Sequence, residues 1–520
     1  MRTKPVIMKA EEAVRCIKNG DTIAVGGFVG IGVAEEILTA LENRFIETST
    51  PQDLTLIFAA GIGDSKDRGL NHLGYESMLK RVIGGHWGLM PKVQKLAFEN
   101  KIEAYNFPQG VISHMFRDIA AKRPRTISTI GLHTYVDPRV QGGRMNSVTN
   151  EEFVELIEFD NREYLSYRSI PLNIAIIRGT TADVDGNVSF EREALDVEAL
   201  AIAMAVRNCG GKVIVQVEQV AQKNILKARE IRIPGILVDY IVVGSKKNHQ
   251  QTFAEDYNPS YSGEIKVPLS AIPPMEMSAR KIIARRAAFE LSKGDIVNLG
   301  IGMPEGVASV ATEEGVLQDV ILTAEPGVIG GIPAGGLSFG AASNVDVIVS
   351  QPCQFDFYDG GGIDITFLGL AQSDQQGNLN VSMFGPKFAG CGGFINISQC
   401  ARKVVFVGTF TAVGLKVSIR DGSLHIDQEG REQKFLKAVE QITFSGEYAR
   451  QNKRFVLYIT ERCVFRLGPK GMELIEIAPG IDIDKHILPH MGFRPIIDNP
   501  PKLMEKRIFC DALMNLKTEI

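Results

Sequence analysis

One carboxylate in this 520-residue sequence stands where a reactive group could work. Glu325 follows Val320-Ile321-Leu322-Thr323, an apolar run whose length and branching predict a buried strand, and Pro326-Gly327 ends that strand immediately. Glycines follow at 330, 331, 335, 336 and 340. A stretch so poor in side chains builds no core of its own, but it lets backbone N–H groups come close to a ligand. Glu325 is therefore either a reactive centre or a solvated residue at a strand end beside a loose loop.

The elements that must position it are organised as an internal repeat. Ala10 to Glu36 (AEEAVRCIKNGDTIAVGGFVGIGVAEE) returns 274 residues later as ARRAAFELSKGDIVNLGIGMPEGVAS. Each copy reads as an amphipathic helix, a Gly-Asp turn, a β-branched strand and a glycine-rich loop opening another helix. Ala10, Ala13, Val14 and Ile17 match Ala284, Ala287, Ala288 and Leu291 as the apolar stripe. A second pair, Leu172 to Phe190 and Ile363 to Met383, matches at an offset of 191. The N-terminal copy therefore carries about 80 extra residues, which fall within a segment of about 64–170.

The expected fold class is α/β, with two tandem, similar, open domains of mainly parallel sheet. The boundaries expected are 1–260, a linker at 261–278 rich in proline and small polar residues, and 279–520, with Ser278 capping the helix that restarts the pattern. Aligning Asp53 to Gly61 with Asp319 to Gly327 sets Ala59 opposite Glu325. A carboxylate present in one copy and replaced by alanine in the other is hard to explain as a demand of the fold.

Composition narrows the function. Charged residues at 23%, hydrophobic residues at 44% and a mean hydropathy of +0.02 describe a globular protein. No apolar run reaches the roughly 20 residues that span a bilayer. A net charge of −4 gives no electrostatic reason to expect nucleic acid. The N-terminus lacks the apolar core of a secretory signal, so a cytoplasmic location is expected. The seven cysteines form no CxxC pair and read mostly as buried small apolar residues; the histidines show no metal-binding spacing, and no metal is expected.

Two reaction classes could use the site. A dinucleotide-binding enzyme fits poorly, because Gly300 and Gly302 are followed by Pro304-Glu305 where a third glycine should be near. Covalent acyl transfer fits better: Glu325 would be the nucleophile and backbone N–H groups with a side-chain amide would hold the oxyanion.

The motifs GGFVGIG (26–32), FPQG (107–110), GDIVNLGIGMP (294–304), AEPGVIGGIP (324–333) and FGPKFAGCGGF (384–394) resemble those of the family I coenzyme A transferases, most closely the fused acetate/propionate type, over essentially the whole chain. Relatives commonly carry Glu-Asn-Gly where this chain has Glu325-Pro326-Gly327. The resemblance implies transfer of coenzyme A between a short-chain acyl-CoA and a free carboxylate (acetate, propionate, butyrate or acetoacetate), through a glutamyl-CoA thioester on Glu325. It implies Gln109 as oxyanion donor, with Gly392 and Gly393 as backbone donors, and CoA or substrate contacts at Gly27, Gly30, Gly300, Gly302, Gly330, Gly331, Gly335, Gly336 and Asn344. Taken without the family, Gln109 could equally be a loop residue capping its own turn. No cofactor beyond coenzyme A as substrate is implied, and a homo-oligomer, a tetramer for preference, is expected. The site is expected in a cleft between the two domains. An acyl-CoA hydrolase on the same scaffold and a non-catalytic acyl-CoA binding protein are the alternatives.

Overall fold

The structure, a computed structural model, describes residues 4–268 and 274–518. Both copies of the repeat open on the same local chemistry. Gly20 and Gly294 take φ of 78° and 87°, which turns the chain, and the aspartate after each accepts a backbone N–H three residues back, Lys18 to Asp21 and Ser292 to Asp295, both at 2.8 Å. The apolar stripes are buried in both copies. The first helix is shorter than its periodicity predicts: only Ala10–Ala13 is α-helical, and Val14–Cys16 tightens into a 3-10 turn. The second, Ala279–Ala288, begins as expected at Ser278, whose hydroxyl accepts the Lys281 N–H at 3.3 Å.

In the N-terminal half, Val6–Ile7 (β1), Thr22–Val25 (β2), Leu54–Phe58 (β3), Leu79–Gly84 (β4), Glu103–Asn106 (β5), Ile174–Arg178 (β6), Lys212–Val217 (β7) and Tyr240–Val243 (β8) form one all-parallel sheet in the order β1-β8-β7-β6-β2-β3-β4-β5. Strands covered on both faces read as continuous apolar runs, as Ile174–Arg178, buried throughout, illustrates. The extra segment supplies β4 and β5, which lengthen the sheet, and an antiparallel three-stranded sheet of Arg125–Ser128, Val154–Phe159 and Arg162–Arg168.

In the C-terminal half, Ile296–Leu299 (β9), Ile321–Ala324 (β10), Ile365–Gly369 (β11), Lys403–Val407 (β12) and Phe455–Ile459 (β13) are parallel in the order β10-β9-β11-β12-β13, and Cys463–Gly468 and Gly471–Ile477 continue antiparallel beyond β13. The order β3-β2-β6-β7-β8 is the same arrangement in the first half, so the chain is a tandem pair of similar α/β domains. By compactness it divides into two units. One comprises residues 1–267, 324–357 and 384–396; the other comprises 268–323, 358–383 and 397–520. Glu325, Gln109 and Gly392 all belong to the first, whereas Gly300 and Gly302 belong to the second.

Candidate active site

Gln109 is placed by a strand end and a proline. Strand β5 stops at Asn106, Pro108 cannot donate to a ladder, and the helix α1 (Gln109–Ala120) starts directly after it, burying Val111, Ile112, Met115, Phe116 and Ile119. Gln109 is only 1% exposed. Its backbone N–H donates to the Gly392 carbonyl at 2.9 Å and its Nε2 donates to Gln351 Oε1 at 3.1 Å. The second amide hydrogen remains available to a ligand. Gln109 is thus not capping its own turn.

The glycine-rich loop 389–393 is held against the end of β4. The Trp87 and Gly88 N–H groups donate to the Ala389 carbonyl at 2.7 and 3.0 Å, and the Gly392 N–H donates to the Gly85 carbonyl at 2.8 Å. Gly392 is therefore engaged in the scaffold, and Gly393 is the neighbouring residue whose N–H has no hydrogen-bond partner among the described residues. Asn106 completes the clamp: its Oδ1 accepts the Cys391 N–H at 3.0 Å and the Tyr135 hydroxyl, while its Nδ2 donates to the Gly84 and Gly85 carbonyls.

Glu325 directly follows β10, and Gly327 explains why the turn there is glycine: φ is +119°, and a Cβ would lie 2.0 Å from the Val349 carbonyl oxygen. Its carboxyl has no hydrogen bond or ion pair among the described residues. With no charge or donor to favour the ionised form, burial raises its pKa from the usual 4.5 to about 7. A carboxylate poised near neutrality and free of partners would lose no existing bond on attacking an electrophile.

Two titratable groups of this region are held in their neutral forms by burial. Burial, with a smaller push from the Glu325 carboxylate, raises the Cys391 thiol to about 12. His86, whose ring lies against Gly61 and Gly88, is pushed down to about 4 by burial and stays neutral. The cysteines are less uniformly buried than expected: Cys391, Cys400 and Cys463 are, whereas Cys209, Cys353 and Cys510 are exposed, because single cysteines carry no periodic signal of their own.

The glycines expected to contact CoA divide by their packing. A side chain at Gly30 would collide with the Phe253 ring at 2.2 Å, at Gly330 with Asp346 Oδ2 at 2.1 Å, and at Gly331 with the Ser343 carbonyl at 2.4 Å; these close approaches are met by the protein itself. Gly27 packs on Val33 and Gly300 on Leu368. Gly302, Gly335 and Gly336 are exposed. Asn344 uses both ends of its amide on Val267, accepting its N–H at 2.7 Å and donating to its carbonyl at 2.8 Å. Asn106 and Gln351 escaped sequence reasoning, since their partners Cys391 and Gln109 lie 285 and 242 residues away in the chain, and the sequence singled out neither Tyr135 nor His86. Among the described residues no cluster of three or more His, Cys, Asp or Glu could hold a metal ion, and no helix is long and apolar enough to cross a membrane.

An unpartnered carboxyl, a buried amide and a clamped glycine loop thus stand on a duplicated parallel α/β fold. The model of the coenzyme A transferase family matches residues 7–244. A caffeate CoA-transferase of Acetobacterium woodii is 47% identical over 98% of this chain and 98% of its own length. The acetate CoA-transferase YdiF of Escherichia coli strain K12 is 46% identical over 98% of this chain and 96% of its own. A crystal structure of the acyl-CoA transferase YdiF from E. coli O157:H7, a thioester complex with CoA, superposes with a TM-score of 0.94 at 44% identity, covering 98% of this chain and 97% of that one. The chain belongs to the coenzyme A transferase family and is a CoA-transferase.

Proposed function

We propose that this enzyme moves coenzyme A between short-chain acyl-CoA and free carboxylates by a ping-pong reaction through Glu325. The observation that carries this reading is the Glu325 carboxyl, partnerless and with its pKa raised to about 7 by burial. The Glu325 carboxylate attacks the thioester carbonyl, the C–S bond breaks, and an acyl-glutamyl anhydride forms with release of CoA thiolate. The thiolate then attacks the glutamyl carbonyl, the C–O bond of the anhydride breaks, and the original acyl group leaves as its carboxylate. The enzyme now holds a glutamyl-CoA thioester, which an incoming carboxylate converts by the reverse steps into the new acyl-CoA. Each tetrahedral intermediate carries an oxyanion, for which the free Gln109 amide hydrogen and the Gly393 N–H are the donors.

The relative named for acetate supports a short acid as substrate; the other is named for caffeate, a larger aromatic acid. Acetate, propionate, butyrate and acetoacetate are the acceptors proposed, for a homo-oligomeric cytoplasmic enzyme whose duplicated domains span 1–260 and 279–520. The test is a half-reaction. Acyl-CoA alone should release one carboxylate per active site and then stop, and labelled carboxylate should exchange into acyl-CoA with no second acid present. Continuous acid release without an acceptor would instead identify a hydrolase.

A further inference from the structure

Gln351 stands to the first copy of the repeat as Gln109 stands to the second. Each begins a helix, α1 for Gln109 and Gln351–Asp359 (α2) for Gln351. Each uses its backbone N–H in the same way: Gln109 donates to the Gly392 carbonyl and Gln351 to the Val197 carbonyl, both at 2.9 Å. The two accepting residues share a left-handed backbone, φ +52° at Gly392 and +43° at Val197, an uncommon conformation for a β-branched residue. The first copy has Ala59 where the second has Glu325. At that position the first copy offers Gln351 no carboxylate, and its side chain turns to Gln109.

The hydrogen bonds among these residues have only one consistent polarity. Ser113, buried one turn into α1, gives its single hydroxyl proton to the Gln109 carbonyl at 2.9 Å. It can then only accept from Gln351, whose Nε2 lies 2.9 Å away. Gln351 must accordingly present Oε1 to Gln109, and Gln109 must answer with Nε2. Swapping the ends of either amide would set two acceptors or two donors face to face. All three residues are buried.

We propose that Ser113 and Gln351 are positioning residues for the transfer reaction, a relay that locks the Gln109 amide in the one orientation that leaves an N–H for the oxyanion. This rests on the reading of Gln109 as oxyanion donor.

The test is a double-mutant cycle on the full-length enzyme. Ser113→Ala and Gln351→Leu are each combined with Gln109→Ala, with kcat, KM for acyl-CoA and thermal melting recorded for every variant. Ser113→Ala alone should lower kcat about tenfold with KM unchanged, a fraction of the loss on deleting a donor outright. In the Gln109→Ala background, neither second substitution should lower kcat further, because the relay acts only through that amide. A purely structural role would move melting in both backgrounds and leave kcat alone. Wild-type kcat in Ser113→Ala, beside a strong loss in Gln109→Ala, overturns the relay and spares the oxyanion assignment. Wild-type kcat in Gln109→Ala overturns both. If Gln351→Leu fails to fold, the Ser113→Ala cycle decides alone.

Discussion

The Asn106 side chain accepts the backbone N–H of Cys391 at 3.0 Å, joining the end of a strand in the first repeat to the glycine loop of the second, 285 residues away. The same carboxamide donates to the Gly84 carbonyl at 2.7 Å and the Gly85 carbonyl at 2.6 Å and accepts from Tyr135, so all four of its hydrogen-bonding positions are filled without solvent. Since Gly85 also accepts from Gly392, this one residue fixes the loop that presents Gly393.

Replacing it leaves several buried groups unmatched at once. Asn106→Ala is expected to cost about 3–5 kcal/mol of stability, from a cavity and unpaired carbonyl, N–H and hydroxyl groups. Urea denaturation checks the loss, and single-turnover kinetics on the folded fraction should show slower thioester formation.

In the proposed reaction the acid–base state of Glu325 sets the pH dependence of the first chemical step. Only the carboxylate attacks, and its pKa is about 7. The rate of glutamyl-CoA formation from acyl-CoA alone should therefore rise with pH, reach half its maximum near pH 7, and level off above pH 8. Rapid-quench measurement across pH 5.5–8.5 checks this; a profile flat down to pH 5.5 would show an ordinary, unshifted carboxylate.

The same shift has a thermodynamic consequence of opposite sense. Glu325 titrates near 4.5 when unfolded and near 7 when folded, so below pH 4.5 it is protonated in both states and contributes no difference. As pH rises from 4.5 to 7, the folded state increasingly bears the cost of a buried charge, up to about 3 kcal/mol above pH 7. Glu325→Gln, neutral and nearly isosteric, should match the wild type at pH 4.5 and exceed its stability at pH 8, by up to that amount. Denaturant midpoints at the two pH values test the gap.

Cys391 lies in the same loop yet should take no part in the chemistry. Its thiol, raised to about 12 by burial, is not ionised at neutral pH. Iodoacetamide at pH 8 should label exposed Cys209, Cys353 and Cys510 and leave Cys391 unmodified, and Cys391→Ala should retain most of the activity.

How far the sequence reaches is visible in these same residues. The fold was legible because the stripe Ala10, Ala13, Val14 and Ile17 and its later copy carry helical spacing, and the parallel strands carry unbroken apolar runs. Glu325 was legible as a candidate because a carboxylate beside a bed of glycine has an alanine as its counterpart in the other copy. Asn106 and Gln351 were not, since a role created by a bond to a residue hundreds of positions away leaves no local pattern. The N–H of Gly392 fails as a free donor for a similar reason: its partner, the Gly85 carbonyl, is set by tertiary packing. The truncated first helix shows apolar spacing recording which face is buried without fixing where an α-helix tightens into a 3-10 turn.

The covalent intermediate on Glu325 is tested most directly by peptide mass spectrometry after mixing the enzyme with acetyl-CoA alone and trapping with borohydride. The expected result is reduction of the Glu325 side chain to the alcohol, seen only with acyl-CoA, diminished by excess acetate and absent in Glu325→Ala. An unmodified Glu325 in enzyme that still turns over acyl-CoA would contradict the account.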